Sequence, residues 1–444
     1  MSRFNLGFLL AVPLMMLAGL GLSFSAPNKD REREYKLIRT VVDVLAEVDQ
    51  HFVKPLDDKG REKLVEDMIN GGLERLDPYS QYMNPEELKQ FNAHTEGNFG
   101  GVGINLGVDP KTGLLMVISP MVGTPAHEAG ILAGDVITKI QDQATDTMKM
   151  ADAIKLIQGE PGTTLTMTVF HEGAKQADTY TLTRAMIEVP SVLGLNRKPE
   201  NPKEWDWYAD SSSKIAYIRV VQFSEHTTED LKKAVQRLDS EGAKAIVLDL
   251  RDNPGGLLTS AVSVSDMFLN SGRIVSTKDR NGNGKAWDAK AGDTLFEPAD
   301  KKPIAVLLNK NSASASEIVA AALQDNKRAV IVGERSFGKG SVQKIIRLQG
   351  DPPAALKLTT DTYWRPSGAN IHRHPDSKDT DEWGVKPDAG LEVVLKDEER
   401  LEYLRAKRNK DIIRKDMKPK EGEKPAVDRV LDTAVAHLKK ELAK

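Results

Sequence analysis

The sequence predicts an α/β core, joined to a smaller β-rich module and flanked by helical segments. Three observations predict it. Short apolar runs at 215–220, 245–250, 304–308 and 330–332 read as buried strands, and helix-like stretches follow the second and third. Between about 96 and 185, turn glycines separate short strand-like runs and one short helix. At the two ends, Val41, Val42, Leu45, Val48 and Phe52, and again Val427, Val430, Leu431, Ala434, Val435 and Leu438, fall at helical spacing.

Taken in chain order, residues 1–25 open with one charge, Arg3, then an apolar stretch from Leu6 to Phe24 broken by Pro13. This is the pattern of an export signal, with small residues at Ser23 and Ser25 ahead of Ala26. At about 19 residues the run is also long enough to cross a bilayer as an uncleaved anchor. The expected location is therefore periplasmic or otherwise extracytoplasmic, with any membrane contact made through this segment. Asp30 to Glu34 reads as a charged, solvated linker, within a helical region spanning 27–95. A second helix is expected from Lys63 to Leu76, stopped by Asp77-Pro78, and Pro85-Glu86-Glu87-Leu88 reads as another helix start.

The β-rich module spans 96–185. It opens with Phe99-Gly100-Gly101-Val102-Gly103-Ile104 and contains a helix expected over Met150–Ile157 and a strand over Leu165–Phe170. The core occupies 186–395. Its helix after 245–250 is expected over Leu258–Leu269, and Asp279–Asp293 reads as an exposed loop. A charged helical tail, 396–444, contains a linker at Lys418–Pro425, and its apolar stripe needs a partner surface on this chain or on a second subunit.

Composition narrows the function. A net charge of −3 over 444 residues argues against a nucleic-acid partner. The absence of cysteine excludes disulfides, thiol catalysis and thiolate metal sites.

The chemistry-bearing segments are Asn311-Ser312-Ala313-Ser314-Ala315-Ser316-Glu317 and Gly333-Glu334-Arg335-Ser336-Phe337-Gly338-Lys339-Gly340-Ser341-Val342-Gln343. They supply a serine at a helix start, a lysine 25 residues on and a glutamine four residues further. Those are the parts of a serine hydrolase whose general base is an amine. Such a lysine must lose its proton near neutral pH, which requires burial without a carboxylate partner; Phe337 and the flanking glycines are expected to provide it. Ser314-x-x-Glu317 is also a capping-box pattern, and a helix start offers unpaired N–H groups and positive potential to an oxyanion. Gly333-x-x-x-x-Gly338-Lys339 imitates a phosphate-binding loop. Gly340 stands where that loop needs Ser or Thr, however, and a strand-like segment follows where it needs a helix. The run 245–250 leads into Arg251-Asp252-Asn253-Pro254-Gly255-Gly256, whose glycines let backbone approach a ligand closely. The eight histidines sit in no catalytic context, and His372 and His374 on one loop are weak grounds for a metal.

The SASASE, GERSFGKGSVQ and LDLRDNPGG segments, with their spacing, resemble the C-terminal processing peptidases, or tail-specific proteases, from about residue 40 to 395. The resemblance implies a ClpP/crotonase-like core with an inserted PDZ domain. By it, Ser314 is the nucleophile, Lys339 the general base and Gln343 the residue that orients the lysine. Ala315 and either Gly255 or Gly256 would form the oxyanion hole, and no cofactor or metal is needed. Gly101, Val102, Gly103, Ile104, Leu106 and Ile154 would line the PDZ peptide groove. Arg184, at the exit from that domain, reads either as a coupling to the core or as a plain surface arginine. The segment Leu76-Asp77-Pro78-Tyr79-Ser80 also matches the family. Implied partners are proteins with apolar C-termini, a second copy of the chain as a homodimer, and an adaptor the sequence does not specify. The alternative is a catalytically inactive PDZ scaffold; retention of Ser314, Lys339 and Gln343 argues against it.

Overall fold

The computed structural model describes residues 29–109, 112–198, 200–292, 294–298, 301–350, 352–412 and 427–444. The export segment and the 418–425 linker lie outside these residues. The chain divides into two compact units, one up to Arg75 and one from Leu76 to Lys444. The first consists of helices Lys29–His51 and Asp58–Glu74. Residues 30–34 therefore belong to a helix and not to a linker, as suits a run of strong helix formers. The second helix starts at Asp58, earlier than expected, because Asp57 caps it by accepting from Gly60 N–H at 2.8 Å.

In the second unit, strands Ile215–Val220, Ala245–Asp249, Ile304–Leu308 and Ala329–Gly333 lie side by side and parallel, in that order. Their continuous apolar character follows from burial on both faces. Ala216, Ile218, Ile246, Leu248 and Val306 face helices Thr227–Ser240, Leu258–Asp266 and Ala315–Asp325. Ile215, Tyr217, Val247, Ala305 and Leu307 face helix Arg429–Leu442 through Val430, Leu431, Ala434 and Leu438. The tail stripe thus finds its partner surface on this chain's own sheet.

The helix expected over 258–269 ends at Asp266. The next carbonyls are taken elsewhere: Met267 O accepts from Leu295 N–H at 2.7 Å and Phe268 O from Arg328 Nε at 3.1 Å. A second, antiparallel sheet joins Gln81–Met83, Ala355–Trp364, Arg273–Asp279 and Ala286–Asp288, with Ser341–Arg347 paired to the long 355–364 strand. Part of the glycine-rich 279–293 segment is accordingly the return arm of a hairpin, and residues 81–83 interrupt the helical stretch before 95.

The β-rich module orders strands Ile104–Val108, Leu115–Pro120, Val136–Ile140, Thr164–Phe170 and Asp178–Thr183, with helix Met150–Ile157 as expected. The 104–108 strand is the sheet's edge. Arg184 is spent inside the module: its guanidinium donates to Ile157 O at 2.9 Å and Leu156 O at 2.7 Å, carbonyls that the helix end leaves unpaired, and to Thr164 O at 2.9 Å at the start of the next strand. The module also meets helix Pro85–Glu96, whose Glu86 pairs with Lys155 at 2.9 Å and Lys89 with Glu160 at 3.3 Å, and its entry and exit segments, Asn98–Gly101 and Ala185–Glu188, pair antiparallel.

Candidate active site

Three serines share the turn between the 304–308 strand and the 315–325 helix, and the fold treats them differently. Ser312 Oγ donates to Leu250 O at 2.8 Å and accepts from Asn309 N–H at 3.0 Å. Ser316 Oγ donates to Asn253 O at 2.9 Å. Both are fully buried, whereas Ser314 is 8% exposed and its Oγ has no hydrogen-bond partner among the described residues. Ser314 also sits at φ 55°, ψ −112°, a conformation that costs a non-glycine residue on the order of 1–3 kcal/mol. Only Glu317's half of the predicted capping box forms.

Behind Ser314 the glycine pair divides its work. A Cβ on Gly255 would lie 2.8 Å from Ser314 Cβ and 2.9 Å from Ala315 N, so only glycine admits the serine turn this close. A Cβ on Gly256 would instead meet Phe223 O at 2.1 Å. The Gly255 N–H is already given to Asn253 Oδ1 at 2.9 Å. Its carbonyl accepts from Phe223 N–H at 3.0 Å, and since a trans peptide points N–H opposite to C=O, the Gly256 N–H turns away from Phe223. Ala315 N–H, first in its helix, has no intrahelical acceptor.

The buried Glu317 carboxylate joins the two segments. Its Oε2 accepts from both Ser314 N–H at 2.7 Å and Lys339 N–H at 2.8 Å, and its Oε1 from Gly338 N–H and Ser336 Oγ, each at 2.6 Å. One oxygen thereby brings the backbones of residues 314 and 339 within a few ångströms. Burial pushes the Glu317 carboxyl up from its usual range, against these four donors. The sequence pattern anticipates the bond to Ser314 and misses those to the lysine loop, because no helix-cap signature extends beyond its own helix.

Phe337 does not enclose Lys339: it is 46% exposed, and its N–H goes to Ser312 O at 2.9 Å. Tyr79 takes that place, its ring 4.6 Å from Lys339 Nζ. Burial lowers the Lys339 ammonium below the usual lysine range and the Lys357 charge adds to this, while Glu317 and Asp77 oppose it. Gln343 is near the site but turned to other partners, donating from Nε2 to Ser341 Oγ at 3.0 Å and to Thr359 Oγ1 at 3.1 Å. Lys339 Nζ forms no hydrogen bond to Ser314 or Gln343 among the described residues. Unliganded active sites are often this loose.

Of the groove residues, Ile104, Leu106 and Ile154 are half-buried on the edge strand and the 150–157 helix. Gly101 is buried at the end of the strand Asn98–Gly101. Gly103 adopts φ 75°, where a Cβ would come within 2.3 Å of Thr124. Val102 departs from expectation: its side chain is fully buried in the module's core, so it can offer the groove only backbone. His372 and His374 stack edge to face with centroids 4.9 Å apart, and among the described residues no three acidic or histidine side chains gather as a metal site.

Comparison with known proteins now identifies the fold. Residues 214–391 match the model of peptidase family S41, and residues 116–169 match a PDZ domain. A carboxy-terminal-processing protease of Bartonella bacilliformis is 40% identical over 397 residues, covering 88% of this chain and 82% of that protein. The chain belongs to peptidase family S41. This peptidase is also 33% identical to the carboxy-terminal processing protease CtpA of Bacillus subtilis, over 78% of this chain and 67% of the relative. Among solved structures, a photosystem II D1 C-terminal processing protease aligns at 28% identity and TM-score 0.43, covering 80% and 92% of the two chains. The peptidase is thus a serine peptidase whose PDZ domain binds peptide substrate.

Proposed function

We propose that Ser314 is the nucleophile, Lys339 its base, and that the enzyme cuts exported proteins captured by their C-termini. The observation that carries the roles is the shared acceptor Glu317 Oε2, which draws the one unpaired serine of the turn and the half-buried lysine to a common point. Neutral Lys339 takes the proton as Ser314 Oγ attacks the scissile carbonyl, then returns it to the leaving amine; water, activated by the same amine, hydrolyses the acyl-enzyme. Ala315 N–H and the outward-turned Gly256 N–H suit the oxyanion, with Gly255 providing the clearance. Gln343 orients the lysine. No metal or cofactor has a step here.

The substrate tail would add a strand to the open edge at 104–108, with Ile104, Leu106 and Ile154 receiving an apolar terminal side chain and the 99–103 loop its carboxylate. We assign the PDZ domain to 96–185, the protease core, of ClpP/crotonase-like type, to 186–395, and the tail to 396–444. Residues 1–25 fit an export signal or anchor. Exposed Leu37, Ile38, Val41 and Val44 on the first helix, with Phe52 just past its end, suit a homodimer.

The test is cleavage of a loosely folded protein with an apolar C-terminus, in EDTA, by the chain lacking residues 1–25 and by its Lys339→Ala variant. Loss of cleavage in the variant supports the lysine base; survival of cleavage refutes it.

A further inference from the structure

The surroundings of Gln343 form a one-way chain of hydrogen bonds that begins at Asp77, 282 residues before Thr359 in sequence. Asp77 Oδ1 accepts from Tyr79 N–H at 2.8 Å, Ser80 N–H at 2.9 Å and Thr359 Oγ1 at 3.0 Å; its Oδ2 accepts from Ser80 Oγ at 2.6 Å. The turn is pinned again where Ser80 Oγ accepts from Thr359 N–H at 3.1 Å. Burial raises the Asp77 carboxyl but these donors outweigh it and hold it below its usual range, so at neutral pH it is a carboxylate that only accepts. The Thr359 hydroxyl has one proton, and Asp77 takes it. Thr359 Oγ1 can then only accept from Gln343, which fixes the amide with its NH2 toward Thr359 and Ser341. Oε1 is left as the outward atom. The bond from Gln343 Nε2 to Ser341 Oγ puts both side chains on one side of the strand that opens two residues after Lys339, and with the NH2 spent this oxygen is the acceptor left for the lysine.

We propose that Asp77 and Thr359 are positioning residues that set the Gln343 amide, so that Oε1, and not the NH2, meets the Lys339 amine during turnover. This rests on the reading of Lys339 as the base. A flipped amide would present N–H donors to the nitrogen's own N–H bonds and withdraw the acceptor that aims its lone pair at Ser314. The same 77–80 turn carries Tyr79, whose ring covers Lys339 Nζ, so one docked segment orients the glutamine and shelters the lysine.

The test is a double-mutant cycle on the chain lacking residues 1–25, with a protein substrate ending in apolar residues. Thr359→Val is close to isosteric and suits a strand, and Thr359→Ala supplies the same deletion if valine does not fold. We expect either to lower kcat about tenfold with KM changed less than about twofold, and Thr359→Ser, which keeps the hydroxyl, to recover most of the rate. In a Gln343→Ala background, Thr359→Val should cost less than about twofold more, because its effect passes through the glutamine. Full multiplication of the two losses, an unchanged kcat in Thr359→Val, or a loss confined to KM would overturn the proposal. Lys339→Ala separates the two readings: if it stays active, the base assignment fails and this inference with it. If it is inactive while the cycle is additive, only the positioning role fails.

Discussion

The two halves of the proposed catalytic centre are built on opposite principles. On the nucleophile's side, polar groups around Ser314 are pinned by the turn and the neighbouring 249–256 loop: Ser312, Ser316, Asn253 and Glu317 are all bonded and buried. On the base's side, Lys339 Nζ meets an aromatic ring, and Gln343 is held through a strand and a turn remote in sequence. The difference teaches that the serine is preorganised, with strain stored in its own backbone, whereas the lysine is sheltered until a substrate calls for it.

The sharpest way to break the comparison is Ser314 itself. Ser314→Gly should abolish turnover, by at least about a thousandfold, yet stabilise the fold by about 1 kcal/mol, since glycine accepts the strained backbone without penalty. Activity assays and denaturant midpoints on the same protein check both. Ser312→Ala should do the opposite, leaving a buried N–H of Asn309 unpaired at a cost of about 1–3 kcal/mol, with activity falling less than stability. A stable, active Ser314→Gly would mean that another serine is the nucleophile.

Glu317→Gln tests the joint between the halves. Its four donors face an acceptor-only group, and an amide must turn its own NH2 toward at least one of them. A loss of about 2–3 kcal/mol of stability and about a hundredfold in kcat is expected, read by chemical denaturation and steady-state rates. If kcat holds, the carboxylate is a cap only.

How much of this was legible follows the same division. Ser314, Lys339 and the Gly255–Gly256 pair stand out as candidates because the proposed chemistry needs particular residue types in particular settings, a serine at a helix start and a glycine after a buried strand, while Glu317 stands out only as a helix cap. The parallel strands were legible because a sheet buried on both faces demands unbroken apolar runs. Tyr79, Asp77 and Thr359 carried no such mark. Nothing local in Asp77-Pro78-Tyr79-Ser80 says that it docks on the 355–364 strand, since a turn's own hydrogen bonds satisfy it equally well elsewhere. Val102 was misplaced for the opposite reason: an apolar residue between two glycines reads equally as groove lining or as core, and only the packed module decides. Likewise Phe337 was the aromatic nearest Lys339 in sequence, and Tyr79 is the one nearest in space.

A smaller effect should appear in the PDZ groove. In the proposed groove a terminal Asp or Lys on the substrate is seated among Ile104, Leu106 and Ile154, which costs a charged group at least about 1.4 kcal/mol, or tenfold in KM, with kcat little changed. Equal cleavage of charged and apolar tails would remove those residues from recognition.

The smallest expected effect probes the base's shelter alone. Burial is the main cause of the low Lys339 pKa, and the nearby Lys357 charge the second. Because the base must be neutral to act, the rate rises with pH through that pKa. Lys357→Met removes a like charge, so the Lys339 pKa rises and the ascending limb of kcat/KM moves to higher pH, with slower cleavage at neutral pH and an unchanged plateau. Raising the ionic strength should shift the wild-type limb in the same direction, and less so in Lys357→Met, since salt screens a repulsion that the variant lacks. Loss of a positive neighbour raises the pKa of an amine or an acid alike, so a limb that moves downward in Lys357→Met would remove Lys357 as a direct influence on the titrating group. A limb that does not move would leave burial, opposed by Glu317 and Asp77, to set the lysine.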